Sequence, residues 1–448
     1  MSQQLTIRIL MRHACLILLL AVASATRPDP QLLAAEPTLE QLKADLRSSD
    51  AKVRRKAASE LGKTKSHEAV QPLLSAATDR DISVREEVVK SLGLLKDQEA
   101  LTMLLTTIKD PAESVREESI IALVNLYADR DATWVVTRTA KKVYKTINPF
   151  SDQVGDDATV IEAYVQVAPM VIDSVAERLL DSSLAVRLDA AKALGVLRAR
   201  PAVPKMIDAM KTGDANLRIA VLRSLYKIRD TSTDEQILPY LNDSNKNVRD
   251  ETILTLGLFH SKKALPDLKR IYDQNPDTKL RLKAFEALAL IGDESTLDLF
   301  KRNLRDTDKA YRQAAAEGIG RVGDASLVED VSRTFLNEKD MGAQIAQSFA
   351  LYRLGRKEFL DKLLMGLAER MYHQQATTYL VEMGAPVVPD LVRNLNHENA
   401  IVREKLCAVL GLIGDSSTIE QLKPLLRDSN QSVASEAALA IRRLGANS

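Results

Sequence analysis

Along most of this chain apolar residues fall at i, i+4 and i+8. Val53, Ala57 and Leu61 form one such set; Val186, Ala190 and Leu194 form another, and Val402, Leu406 and Leu410 a third. That spacing puts all three side chains on one face of a 3.6-residue helix. The residue beside the middle position is apolar too, as at Ala58, Val89, Ile120, Ala191, Leu222, Phe285 and Cys407. A stripe this wide cannot be covered by one partner helix, so each helix needs neighbours on both sides.

The helices recur at a fixed period. VRRKAASELG begins at Val53, VREEVVKSLG at Val84 and VREESIIALV at Val115, each 31 residues after the last. The series resumes at Val186, Leu217, Val248, Leu280 and Tyr311, and closes at Val402 and Val433. Weaker copies near Ala343 and Tyr372 fill the long gap before Val402. About twelve two-helix units therefore run from Leu39 to Gly445, and the expected fold is an all-α solenoid, a superhelix of stacked hairpins. Three residues before each Val-Arg pair stands an N-cap former: Asp50, Asp81, Ser183, Asp214, Asn245, Asp277, Asp308, Asn399 and Asn430. Gly292, Gly323, Gly414 and Gly445 stand where left-handed C-caps are expected.

This pattern resembles HEAT repeats, specifically the short bacterial kind grouped with the HEAT-like repeats of phycobilin lyases. The resemblance covers 39–129 and 169–446. It implies a solenoid, and solenoids of this sort serve many unrelated roles. No residue carries over from the lyases as catalytic. Deoxyhypusine hydroxylases are also HEAT-like, and they hold two irons with His-Glu pairs at the start of the second helix. The matching positions here are Glu86-Glu87, Glu117-Glu118, Asp250-Glu251 and Glu404-Lys405. The nitrogen ligands are missing, so that ligand set does not carry over.

Composition narrows the partners. Apolar residues make up 45% and aromatics only 4%, a mix rich in Ala and Leu that favours helices. The 62 Lys and Arg against 61 Asp and Glu leave no basic stripe, so no nucleic-acid partner is expected.

The start of the chain reads as a targeting segment. Arg8, Arg12 and His13 precede an apolar run from Ala14, and Ala23-Ser24-Ala25 offers a small-residue cleavage site. Residues 1–25 are thus expected to be a signal peptide and 26–38 a linker, making the protein exported, periplasmic or extracellular. The run is too short to span a bilayer, and no membrane span is expected after cleavage. Cys407 would remain as the only cysteine, ruling out an intramolecular disulfide.

The period breaks once, between Asp129 and Pro169. Five of the eighteen aromatics lie between Tyr127 and Tyr164. Trp134, Tyr144, Phe150 and Tyr164 are therefore candidate anchors for a partner, on an insertion over 130–168. Asp152, Asp156 and Asp157 read as a solvated acidic loop. The Arg after each Val recurs with an Asp five residues before it (Asp79, Asp110, Asp181, Asp243, Asp306), as in a structural Arg–Asp ladder. His67, His260, His373 and His397 are scattered, and only the last two lie in adjacent units. No catalytic, cofactor-binding or metal-ligating residue is assigned. The expected function is a non-enzymatic scaffold that binds an unidentified protein or peptide along its concave face or at the insertion. The alternative is a HEAT-like enzyme, a lyase or a hydroxylase.

Overall fold

The computed structural model describes residues 37–128, 160–162 and 164–445. The signal segment, most of the linker, Trp134, Tyr144, Phe150 and the Asp152–Asp157 loop lie outside them. Among the described residues twelve second helices carry the repeat. The first four are α1 (Ala51–Lys63), α2 (Ile82–Leu95), α3 (Glu113–Asn125) and α4 (Leu184–Val196). Then come α5 (Ala215–Ile228), α6 (Lys246–Leu258), α7 (Thr278–Ile291) and α8 (Lys309–Val322). The last four are α9 (Met341–Arg353), α10 (His373–Met383), α11 (Ala400–Ile413) and α12 (Gln431–Gly445). Each packs on its neighbours and on a shorter first helix of its own unit.

Local chemistry sets where these helices begin. Before all of them but α3 and α10, an Asp, Asn or Ser accepts from the first backbone N–H groups, as Asp81 does from Ser83 and Val84 and Asn245 from Asn247 and Val248. Gly292, Gly323 and Gly414 end α7, α8 and α11 at φ of 62°, 79° and 84°. Gly445 differs: it is the last residue of α12 itself.

A second set of glycines has another task. A Cβ on Gly62 would meet Ser91 at 2.6 Å, one on Gly93 would meet Ala122 at 2.8 Å, and one on Gly195 would meet Ser224 at 2.7 Å. Successive second helices thus touch through Gly against a small residue, which brings their backbones close.

The arginine ladder is built as a double staple. Arg54 gives Nε and Nη2 to Asp79 at 2.6 and 2.8 Å, and Nη1 to the carbonyls of Ser48 and Ser49. Four of its five N–H donors are used, and the turn of one unit is tied to the next. Arg85–Asp110 and Arg403–Asp428 repeat this, and Arg312 uses Glu338 in place of Asp. Arg116 pairs with Asp181 across 65 residues of sequence. It holds α3 against α4, so the stack is continuous where the period breaks. Asp306 departs from the expected ladder. It accepts from Asp308 N at 2.8 Å, while Arg281 turns to the Tyr272 carbonyl and ring.

The curved array also returns on itself. Arg443 in α12 donates to both carboxylate oxygens of Glu162 at 2.9 and 2.7 Å. Glu162 lies just before the fourth hairpin, so units four to twelve bring their two ends together. Burial opposes the Arg443 charge, but Glu162 outweighs that and raises its pKa; half-buried Tyr164 stands near the same guanidinium.

Candidate active site in the inner groove

The inner side of this curve is lined by second helices, and α5 to α10 enclose a cavity of about 800 Å³. The inner positions of a regular unit carry long polar side chains. Here those positions bring acids together. Glu286 in α7 and Glu317 in α8 are 31 residues apart and occupy the same register. Asp250 and Glu251 in α6 face the same space.

The two repeated glutamates differ sharply in environment. Glu317 is anchored on three sides: Arg321 Nη1 donates at 3.2 Å, the Tyr379 hydroxyl at 2.5 Å and Gln313 Nε2 at 3.0 Å. Glu286 is half-buried as a residue, yet its Oε2 is shut off from solvent and has no hydrogen-bond partner. Burial pushes its carboxyl well above the ordinary carboxylate range, and the negative field of Glu317 pushes it further. Lys283 acts in the opposite direction.

Buried Arg321 organises the rest. Burial opposes its charge, but Glu317 and Glu382 outweigh that and raise its pKa. Tyr379 is fully enclosed, stacks on Phe349 at 4.5 Å, and holds its proton more tightly than usual because of burial and Glu317. On the other wall Arg223 pairs with Glu251 at 2.9 Å and Lys283 with Asp250 at 2.7 Å. Glu251 is raised by burial, with Arg223 pulling it back. One fully bonded carboxyl beside one bare carboxyl is an arrangement that can hold and move a proton.

These inner residues were not among the sequence candidates, since single acids read as a solvated face. The available signal was recurrence: Glu at two successive copies of one register, with Arg321 one turn beyond the second. Of the sequence candidates only Tyr164 lies among the described residues, and it sits at the Glu162–Arg443 closure, outside the cavity. Cys407 is buried, and burial pushes its thiol up to about 12, consistent with an inert core residue. His373 and His397 do not form a site. His373 Nδ1 contacts the Arg370 carbonyl, and His397 Nδ1 accepts from Asn399 N.

Among the described residues one group has metal-ligand spacing: His67, Asp97 and Glu99. His67 is exposed, with Nδ1 2.5 Å from Asp97 and Nε2 3.7 Å from Glu99. Its pKa is raised, first by the hydrogen bond to Asp97. The two carboxylates lie against the ring and favour its charged form.

Several of the positions that would match iron-holding His-Glu pairs are engaged by cations. Asp250 and Glu251 are taken by Lys283 and Arg223, Glu404 pairs with Lys405 at 3.0 Å, and Glu87 lies 3.7 Å from Arg55. None of these pairs joins a described group that could hold a metal ion. The donor set contains no nitrogen and does not fit a di-iron centre.

A sequence profile of HEAT repeats matches residues 38–124, 235–319 and 388–448. Deoxyhypusine hydroxylase of Arabidopsis thaliana is 24% identical over 218 residues, which is 48% of this chain and 69% of that protein. The enzyme of the same name from Eremothecium gossypii is 24% identical over 280 residues, 52% of this chain and 87% of that one. The solved complex of CpcE and CpcF of phycocyanin lyase from Nostoc sp. PCC7120 is 19% identical, with a TM-score of 0.27. The match covers 74% of this chain and 99% of that chain. The two hydroxylases correct the expectation of a non-enzymatic scaffold: proteins similar over about half of this chain are enzymes. Among the described residues no helix is long and apolar enough to cross a membrane.

Proposed function

The chain belongs to the HEAT-repeat family, and from that premise we propose that it is an enzyme whose reaction takes place in the inner groove, with Glu286 carrying a proton to or from the substrate. One observation carries this reading. A half-buried carboxyl with one enclosed, unpaired oxygen lines a cavity of about 800 Å³, beside a carboxyl held by Arg321, Tyr379 and Gln313. A carboxyl whose pKa is pushed well above the ordinary range by burial can act as a general acid and then as a base. The similarity to deoxyhypusine hydroxylases supports catalysis in a HEAT solenoid. The donor set does not support iron at the matching positions, so the proposed chemistry is proton transfer by this chain's own groups. Export remains part of the proposal, on the residues of 1–25 alone.

The test is turnover. The purified chain is incubated with a small-molecule extract of its host and, separately, with a deoxyhypusine-bearing peptide with and without ferrous iron. Products are read by mass spectrometry. A compound consumed by the native chain and spared by Glu286→Gln supports the reading. An unchanged extract, or consumption independent of Glu286, overturns it. Gain of one oxygen on the peptide would instead make this chain a hydroxylase.

A further inference from the structure

Charge along the groove is unevenly spent. Seven Lys and Arg line the cavity against five Asp and Glu. Four of those acids are already engaged: Asp250 by Lys283 at 2.7 Å, Glu251 by Arg223 at 2.9 Å, Glu317 by Arg321 at 3.2 Å and Asp340 by Lys309 at 2.9 Å. The exposed ammonium of Lys279, by contrast, pairs with no acid among the described residues.

A break in a regular link explains the spare charge. Lys246, the first residue of α6, reaches the aspartate that caps α7, Asp277, at 2.7 Å. Lys309, the first residue of α8, reaches the aspartate that caps α9, Asp340. α7 begins on Thr278 instead, and its lysine falls one position later. Asp308, the cap of α8, keeps to the Ala310 N–H at 2.9 Å. Lys246, Lys279 and Lys309 all line the cavity, so the starts of three successive helices give it a basic rim.

Below the rim the wall turns apolar. Leu282 and Leu290 follow Lys279 along α7, and Leu254 and Leu258 follow Lys246 along α6. All four are half-buried on the cavity side, where a regular solvated face would carry charge. Lys279 and Leu290 stand about 16 Å apart along the helix axis.

We propose that the groove binds an aliphatic carboxylate, its head on Lys279 between Lys246 and Lys309 and its hydrocarbon chain along these leucines. The inference rests on the reading of the groove as the substrate site, and it names the substrate class. One ammonium without a partner suits one negative charge, which favours a carboxylate over the nearly doubly charged phosphate monoester. The chain contributes by leaving water for the leucine wall. The head sits at an exposed rim, so its contribution is screened by salt.

Calorimetry on the full chain tests this with decanoate below its micellar concentration, at low ionic strength. Decyltrimethylammonium is the control with the same tail and the opposite charge, and acetate is the head alone. The expected result is saturable binding of decanoate, with both controls weaker by about tenfold or more. Lys279→Glu should weaken decanoate by at least about tenfold and leave decyltrimethylammonium no weaker. Leu282→Asn should weaken decanoate and leave acetate unchanged. Equal binding of decanoate and decyltrimethylammonium, or unchanged decanoate affinity in Lys279→Glu, overturns the proposal. If Leu282→Asn unfolds by circular dichroism, the exposed Lys279 variant decides alone. Decanoate binding without turnover of any compound would sink the catalytic reading only, and turnover without decanoate binding would sink this inference only.

Discussion

Arg321 in α8 reaches past α9 to Glu382 in α10, donating from Nε at 2.9 Å and Nη2 at 2.8 Å. Its third nitrogen donates to the Ala289 carbonyl in α7 and to Glu317. One side chain, 6% exposed, therefore ties three second helices together. Between them Phe349 of α9 lies under two guanidiniums, those of Arg321 and Arg353, at 5.5 and 5.6 Å. This contact between units that are not neighbours shapes one wall of the cavity.

Arg321→Met should therefore be among the most damaging single changes in the array. It leaves Glu317 and Glu382 without their buried counter-charge, and removing one partner of a buried pair costs about 3–5 kcal/mol. Urea titration should show a large fall in midpoint. A fall of under 1 kcal/mol would mean that water replaces the guanidinium at no great cost.

Glu286 should behave in the opposite way. Glu286→Leu removes an enclosed acceptor and extends the leucine wall, so stability near neutral pH should rise by about 1–3 kcal/mol. Activity should be lost. The sign of the pH dependence follows from the raised carboxyl. Below the ordinary value of 4.5 both folded and unfolded chains hold the proton, and Glu286 has no effect. Above it the unfolded chain releases the proton first, so native stability falls relative to Glu286→Gln as pH rises toward the folded-state value. Urea midpoints of the two proteins across pH 4 to 9 should diverge in that direction.

How much of this was legible in the sequence depends on whether a feature repeats between neighbours. The period placed the second helices, their Asp and Asn caps and most of the arginine ladder, because each is set within one unit or by the next. It could not show that α10 leans across α9 to meet α8, since Arg321 and Glu382 are 61 residues and two units apart. Glu286 looked like any acid on a solvated face. Only curvature, a property of the whole stack, turns that face inward and closes it. The aromatic insertion drew attention for the opposite reason: it breaks the pattern, although Arg116 and Asp181 keep the stack intact around it.

The small-residue contacts predict a cost for the mildest substitution. At Gly195 a Cβ would lie 2.7 to 2.9 Å from atoms of Ser224, including its backbone. Gly195→Ala should push α4 and α5 apart and destabilise by about 1–3 kcal/mol, despite the better helix propensity of Ala. Thermal unfolding with a raised midpoint would show that the helices separate freely.

Closure of the array is testable by its shape. Arg443 and Glu162 are joined at 2.7 Å across 281 residues, with 20% and 24% of their side chains exposed. Glu162→Arg places two cations there and should open the path between units four and twelve. Small-angle scattering should report a larger radius of gyration, with helical content by circular dichroism unchanged. Equal radii at low and high salt would mean that packing holds the closure without the ion pair.

Glu338 gives the array its own acid limit. It replaces the ladder aspartate, takes Arg312 at 2.7 and 2.8 Å, and its side chain is 2% exposed. The Arg312 hydrogen bonds outweigh burial and hold its carboxyl down at about 2 from an ordinary 4.5. Stability from this link is thus complete above pH 4.5 and is lost as pH falls from there toward 2, because the unfolded chain takes up the proton first. Glu338→Gln should remove that part of the acid transition and weaken the protein at pH 7 by about 1–3 kcal/mol, since half-buried Arg312 loses its charged partner. Arg312→Met should leave a glutamate that protonates near the ordinary range, moving acid unfolding to higher pH. Coincident acid transitions in the native and Glu338→Gln proteins would show that another carboxylate sets the limit.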